Sequence, residues 1–487
     1  MLTRIEKVVC LFSFASLLLG IADLQAEDSV RPIGSRLELF VDDYLIERLD
    51  GVQLKLHTPI PADVALRFDK SWEGAFSAYV TVLQDGARFR MYYRGIPVSG
   101  TDGSSAEVTC YAESDDGIHW VKPDLAIHEM NGSTKNNIIL KDQAPFTHNF
   151  SPFLDVRPGV SQSERLKALA GTSKTGLVAF VSEDGIHWCR WRDKALLTDG
   201  AFDSQNVAFW SPAESCYVCY YRTWTKGGYE GIRTVSRATS KDFSEWTSGQ
   251  QMDFGDTPWE HLYTNQTTPY FRAPNLYIAL PMRFMPGRQV LTEEQAMALG
   301  VDPKYRGDCA ETVLITSRGG NRYVRTFMEG FIRPGNDAGN WASRAGLTAL
   351  GVVPTGANEM SIYKQEHYAQ ASNQLRRYIL RTDGFVSVNA PYRGGTMTTK
   401  PFVFAGSKLV INFSTSAAGF IKVEILDQED HAIPRYGLRE AQEIIGDEIE
   451  RVVLWNQISD LQKLVGKSVR LRFTMKDADL YSIRFTE

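Results

Sequence analysis

Ser114-Asp115-Asp116-Gly117-Ile118-His119-Trp120 returns almost letter for letter as Ser182-Glu183-Asp184-Gly185-Ile186-His187-Trp188. Looser copies stand at Ser240-Lys241-Asp242-Phe243-Ser244-Glu245-Trp246, Ser317-Arg318-Gly319-Gly320-Asn321-Arg322-Tyr323 and Arg381-Thr382-Asp383-Gly384-Phe385. The first positions are 68, 58, 77 and 64 residues apart. Such intervals are long for a helical repeat but suit a four-stranded sheet with one variable loop, the unit of a β-propeller. Five copies predict five blades. Each copy follows a β-rich run, such as Val108-Thr109-Cys110-Tyr111-Ala112 or Leu177-Val178-Ala179-Phe180-Val181, and so occupies a hairpin turn. In that turn Asp caps backbone N–H groups, Gly takes a positive φ, and Trp returns the chain into apolar packing. His119 and His187 belong to this repeated device and are read as scaffold.

The rest of the composition agrees with an all-β protein. Twenty Tyr, 25 Phe and 10 Trp favour strands over helices, and 487 residues exceed one ordinary core, so a second module is expected beside the propeller. A net charge of −5 gives no reason to expect nucleic acid. Arg4 and Lys7 precede an apolar run at residues 8–21, and Ala26 offers a small residue for cleavage, which is the grammar of a secretory leader over residues 1–26. The expected location is secreted or periplasmic, with no membrane association once the leader is removed. Five cysteines remain, an odd number that leaves no complete disulfide framework. Cys216 and Cys219 have a metal-like spacing, but they sit in a strand, where positions three apart face opposite sides, and no second pair completes a site. No cofactor is expected, and a structural calcium ion stays open.

The expected organisation is lead-in strands over residues 27–68, a five-bladed propeller over 69–390, and a β-sandwich over 391–487. In the last segment the pattern changes to strong two-residue alternation. Because the repeated turn joins the third and fourth strands of each blade, the opposite face holds the inner-strand starts, the second-strand ends and the longest loops. Sites are built on such loops. Reading those positions yields Glu73, Asp203 and Glu260 as candidate catalytic acids. Arg94, His148, Asn206, Arg222, His261, Arg283, Glu311 and Arg344 are candidate substrate-binding residues, with Glu107 and Glu230 on third-strand starts in reserve. Paired carboxylates can serve as general acid and as nucleophile or base. Arginine keeps its charge and suits bidentate binding of carboxylate or sulfate, which points to an anionic ligand.

Blades punctuated by Ser-x-Asp-x-x-x-Trp turns and followed by a β-sandwich resemble the five-bladed propeller glycosidases, the group of invertases, levansucrases, arabinanases and xylosidases. The resemblance spans residues 72–487 and implies a secreted glycoside hydrolase acting on a polysaccharide or oligosaccharide. It also implies three acids at the mouth of the central funnel, drawn from the inner strands of the first three blades. Glu73 stands near the first-blade position, where the family places Asp, and Asp203 stands at the third-blade position, where it usually places Glu. The second blade carries His148-Asn149-Phe150-Ser151 in place of Arg-Asp-Pro, so the second acid is missing there. The chain reads as a divergent member, and the alternative is a catalytically silent carbohydrate-binding propeller.

Overall fold

The computed structural model describes residues 30–99 and 103–487, so the leader expected over residues 1–26 lies outside the described residues. The chain forms two compact units: Leu56–Val386, and Met1–Lys55 together with Ser387–Glu487.

The first unit is a five-bladed β-propeller. Blade one pairs Ala78–Asp85, Arg88–Gly95, Val108–Ser114 and Ile138–Leu140 in that order. Blade two pairs Ser151–Leu154, Leu166–Thr172, Gly176–Ser182 and Cys189–Arg190, and blade three pairs Val207–Ser211, Cys216–Trp224, Arg233–Ser240 and Gln250–Gln251. Blade four is interrupted. Its strands Thr268–Tyr270, Ala273–Ala279 and Ile315–Ser317 are separated by the hairpin of Met282–Met285 with Cys309–Thr312. The insertion carries a short helix, Glu293–Ala298, started by a capping box between Thr292 and Gln295. It accounts for the longest repeat interval.

Blade five pairs Val353–Pro354, Glu359–Glu366 and Gln374–Arg381, and its outermost strand is Ile60–Arg67. This corrects the expected lead-in over residues 27–68. A ring of blades leaves an open edge wherever its last blade lacks a fourth strand, and here the chain's own beginning covers that edge.

The repeated turn forms as its residues dictate. Asp116 Oδ1 accepts the backbone N–H groups of Ile118 and His119, both at 2.8 Å, and Trp120 Nε1 donates to the carbonyl of Gly117, whose φ is 70°. Asp184 repeats these contacts at 2.8 Å with Ile186 and His187. His119 and His187 are 85% and 72% exposed, and each holds its Asp through Nδ1 at 2.7 Å. In the third copy Ser244 takes the place of the imidazole, donating from Oγ to Asp242 Oδ2 at 2.9 Å. Hydrogen bonds from the Glu245 and Ser244 backbone hold the Asp242 carboxyl well below its usual range.

Along the propeller axis the inner strands are joined by buried amides. Gln205 Nε2 donates to Thr81 Oγ1 at 2.8 Å, and Gln266 Nε2 donates to Gln205 Oε1 and to the Thr348 carbonyl, both at 2.7 Å. One buried group is less well served. Lys364, on the Glu359–Glu366 strand, is fully buried and its Nζ has no hydrogen-bond partner among the described residues. Burial pushes its ammonium down to about 8 from an ordinary 10.5. The unfolded chain therefore binds the proton more tightly than the folded one. Lys364 costs stability at pH 7, and the cost is relieved as pH rises from 8 through 10.5. Lys364→Met is expected to stabilise the protein by up to about 3 kcal/mol at pH 7. The gap between variant and wild type should shrink between pH 8 and 10.5 in denaturant titrations.

The second unit encloses one apolar core containing Phe40, Phe402, Phe413, Trp455, Phe473 and Phe485. Its spine is two 19-residue strands, Lys408–Leu426 and Ser468–Thr486, paired along their length with a register shift between Thr415 and Phe420. Strict alternation buries every second side chain over most of Ser468–Thr486, as the sequence pattern predicts for a sandwich. The boundary expected at residue 391 is extended at both ends. Arg31–Gly34, Glu38–Leu39 and Ile46–Asp50 join this sheet, the first of them parallel to Phe402–Phe404.

Candidate functional site

On the propeller face opposite the repeated turns, the five inner strands each contribute one residue to a central cavity of about 230 Å3: Tyr79, His148, Asp203, Tyr263 and Arg344. All five precede or open their strands, where the backbone is bent. Tyr79, Phe202 and Ser343 have φ values of 55°, 50° and 55°, uncommon for residues with a side chain. Arg94, from the end of a second strand, and Tyr305 and Tyr368, from loops, complete much of the wall.

Arg94 and Arg344 line the cavity, while Arg222, expected to bind substrate, and Arg233 do not line it but pack against its Tyr263 wall. Arg94 is buried, donates through Nη2 to the Phe76 carbonyl at 2.8 Å, and lies 4.7 Å from the centre of the Tyr79 ring. Its Nη1 is 3.6 Å from Glu107 Oε1, an oxygen that also meets His148 Nδ1 at 2.8 Å. His148 Nδ1 thus sits between the Glu107 carboxylate and Arg94 Nη1, 3.1 Å away. Glu107 has no exposed side-chain surface. Arg222 is paired with Asp203 and covers one side of Tyr263, 4.7 Å from the ring centre. Burial works against the Arg222 charge, but Asp203 and the nearby Tyr263 and Tyr79 hold the guanidinium above its usual value.

Arg344 is 5.0 Å from the Tyr263 ring centre and 4.8 Å from that of Tyr305, with no carboxylate within ion-pair distance among the described residues. Arg233 lies 4.4 Å from the Trp224 ring centre and 5.7 Å from that of Tyr263. Burial and the charges of Arg222 and Arg344 push its own pKa down. Among the described residues, Arg94 and Arg344 are the arginines that line the cavity and Asp203, 40% exposed, is the carboxylate that does.

The remaining sequence candidates lie elsewhere. Glu73 was expected at the funnel mouth and does not line it. Its buried carboxylate accepts from Tyr93 Oη at 2.6 Å, Lys122 Nζ at 2.6 Å and the Lys70 backbone at 3.0 Å. Glu260, Arg283 and Glu311 line a separate cavity of about 610 Å3 with Arg288, Arg333 and Trp341. There Arg283 Nη1 donates to Glu260 Oε1 at 2.7 Å and Arg283 Nε to Glu311 Oε1 at 3.1 Å, while Arg325 holds Glu260 Oε2. Both Glu260 oxygens are thus engaged by arginines. Successive residues of a strand face opposite ways, so Arg283 points to this flank while Phe284 lies 5.1 Å from Arg233 and 5.8 Å from Arg344.

Asn206 is fully buried and ties the turn before its strand, donating to the Phe202 and Ser204 carbonyls at 3.1 and 3.0 Å. His261 packs on Trp224 and accepts the Arg233 backbone N–H at 3.2 Å, and burial with the Arg233 charge lowers its pKa. Sequence reading missed the tyrosine wall. Tyr79 and Tyr263 occupy the same inner-strand starts as His148 and Asp203, a position that can be counted in the repeat.

No family model matches the chain, and no curated protein matches it. Among solved structures it is similar to one described as a glycoside hydrolase, at 12% identity and a TM-score of 0.47, over 66% of this chain and 92% of that one. It is similar to an N-acetylgalactosamine deacetylase from F. plautii in complex with blood group B trisaccharide, at 12% identity and a TM-score of 0.42, over 70% of this chain and 96% of that one. A fructofuranosidase from Schwanniomyces occidentalis is similar at 9% identity and a TM-score of 0.39, over 88% of this chain and 99% of that one. At these identities and TM-scores no residue role passes from those proteins to this chain.

Proposed function

We propose that the protein is a secreted carbohydrate-active enzyme that opens a glycosidic bond in an anionic glycan, uronic or sulfated, inside the central propeller cavity. The observation that carries this reading is Arg344, a guanidinium set among tyrosine rings with no carboxylate partner among the described residues. An isolated charge in a partly buried cavity is costly unless a ligand supplies the counter-charge. Carboxylate and sulfate match the planar donor fork. The tyrosine walls suit the apolar faces of a sugar ring.

Asp203 is the cavity carboxylate that can receive a sugar hydroxyl or move a proton. Asp203→Asn keeps the shape but removes that capacity, and cleavage is expected to fall by about 100-fold or more while the circular dichroism spectrum is unchanged. The deciding experiment incubates the protein with neutral, uronic and sulfated glycans and follows both binding and new reducing ends. Cleavage confined to anionic glycans supports the reading, and near-native rates in Asp203→Asn remove Asp203 from the chemistry. The second reading, a non-catalytic carbohydrate-binding propeller, is favoured by one observation. Among the described residues the cavity presents one carboxylate where glycoside hydrolysis uses two. Tight binding of anionic glycans with no new reducing ends would establish it.

A further inference from the structure

Among the described residues the cavity offers one carboxylate where hydrolysis uses two, and it holds what a different bond-breaking route requires. Asp203, its one lining carboxylate among the described residues, is already paired with Arg222. The proton on the carbon next to a carboxylate can instead be removed by a base, provided cations hold the negative charge that flows into the carboxylate. Resting on the proposed cleavage of an acidic glycan, we infer that the bond is broken by β-elimination on a 4-linked uronate, with Arg344 on the carboxylate and Tyr263 as the proton-transferring base.

The geometry is that of a phenol ringed by cations. The Tyr263 ring centre lies 4.7 Å from the Arg222 guanidinium, 5.0 Å from that of Arg344 and 5.7 Å from that of Arg233. The Tyr79 hydroxyl, which donates to the Asp203 carbonyl at 3.3 Å, stands beside Tyr263 and also favours its ionised form. Burial pushes the phenol up, but Arg344 and then Arg222 outweigh it, Asp203 acts in the opposite sense, and the balance leaves Tyr263 below its ordinary value. Tyr79 is pushed well above its ordinary value, first by burial, so of the two phenols Tyr263 is the one placed to lose its proton more readily.

The step balances without water or an external reagent. The Tyr263 phenolate takes the C5 proton, and the C5–H electron pair becomes the C4=C5 double bond. The C4–O4 bond breaks with its pair passing to O4. Tyr263 then hands its proton to O4, so that the phenolate is restored and the chain is cut into a new non-reducing end bearing the double bond and a new reducing end. Arg344, with Arg233 beside it, stabilises the extra charge on the carboxylate as C5 loses its proton.

The test uses the full chain with polygalacturonate, glucuronan and alginate, following reducing ends and the ultraviolet absorbance of the C4=C5 product together. Elimination predicts that the two signals rise in step on at least one of the three, and that methyl esterification of the carboxylates removes both. Tyr263→Phe is expected to lose about 100-fold or more of the rate. It should still bind the polymer, and the wild-type rise of rate with pH should disappear from its profile. Nuclear magnetic resonance of ring-labelled tyrosines should show the lowest-titrating phenol missing in that variant. Reducing ends without absorbance would overturn elimination and leave cleavage of an acidic glycan standing. Neither signal on any uronic polymer overturns elimination, and cleavage of a sulfated glycan then shows whether the broader reading survives. Absorbance retained in folded Tyr263→Phe would remove Tyr263 as the base. Should that variant fail to fold, the product formed by the wild type still decides the route.

Discussion

Arg344→Ala is expected to lower kcat/KM on anionic glycans by about 100- to 1,000-fold while leaving the fold intact. A buried guanidinium that meets a ligand carboxylate is typically worth about 2–5 kcal/mol, and each 1.4 kcal/mol is tenfold in rate or affinity. Because Arg344 has no carboxylate partner among the described residues, its removal leaves no orphaned acid behind. The melting temperature should therefore move little, unlike the usual outcome of deleting half of a buried ion pair. Arg344→Lys should recover little of the rate, since an ammonium is a point charge and does not reproduce the planar fork. Measuring kcat/KM for matched neutral and uronic substrates checks the expectation. An equal loss on both would show that Arg344 shapes the wall and does not read the charge.

Glu73→Ala is expected to do the opposite: to cost about 3 kcal/mol of stability and leave turnover of the folded fraction unchanged. The Glu73 carboxylate has no exposed surface, and Lys122, only 12% exposed, donates to it at 2.6 Å. Lys122 keeps contacts with the Arg67 carbonyl at 2.5 Å and with Asp69 at 3.1 Å, but Asp69 is 61% exposed and screened by water. Removing Glu73 thus strands most of a buried ammonium and the Tyr93 hydroxyl. Glu73→Gln, which still accepts from Tyr93, should cost less. Denaturant midpoints and specific activity on the same samples separate the two effects. Loss of activity in Glu73→Gln without loss of stability would return Glu73 to the chemistry.

The contrast between Glu73 and Asp203 shows how far the sequence could be read. The repeated turn is local, since Asp116, Gly117 and Trp120 satisfy one another within a few residues, and so the blade count and the two faces of the disc follow from it. Counting from the turn also places one residue per blade at the inner-strand start, which is how His148, Asp203 and Arg344 were found together. Side-chain direction does not follow from counting. Trp72-Glu73 and Trp259-Glu260 match in spacing, yet Glu73 meets Lys122 and Glu260 meets Arg283 and Arg325, and neither lines the central cavity. Tyr263 escaped notice because a tyrosine in a β-rich chain reads as packing, and only the three cations around its ring give it another meaning. The pairing of Ile60–Arg67 with Gln374–Arg381 was equally hidden, for it joins strands more than 300 positions apart by backbone groups that every residue carries.

That pairing has a consequence for how the protein is made. A chain leaves the ribosome from its N-terminus, so the strand at Ile60–Arg67 emerges first of the propeller and must wait unpaired until Gln374–Arg381 has followed. Until then the ring is an open arc with a bare strand at one end and an unfinished fifth blade at the other. The other unit is in the same position, since Arg31–Gly34, Glu38–Leu39 and Ile46–Asp50 wait for the strands that follow residue 390. A premature stop anywhere before residue 374 would thus leave two unsatisfied sheet edges on one molecule, and the product would be a substrate for chaperones or proteases rather than a smaller working propeller.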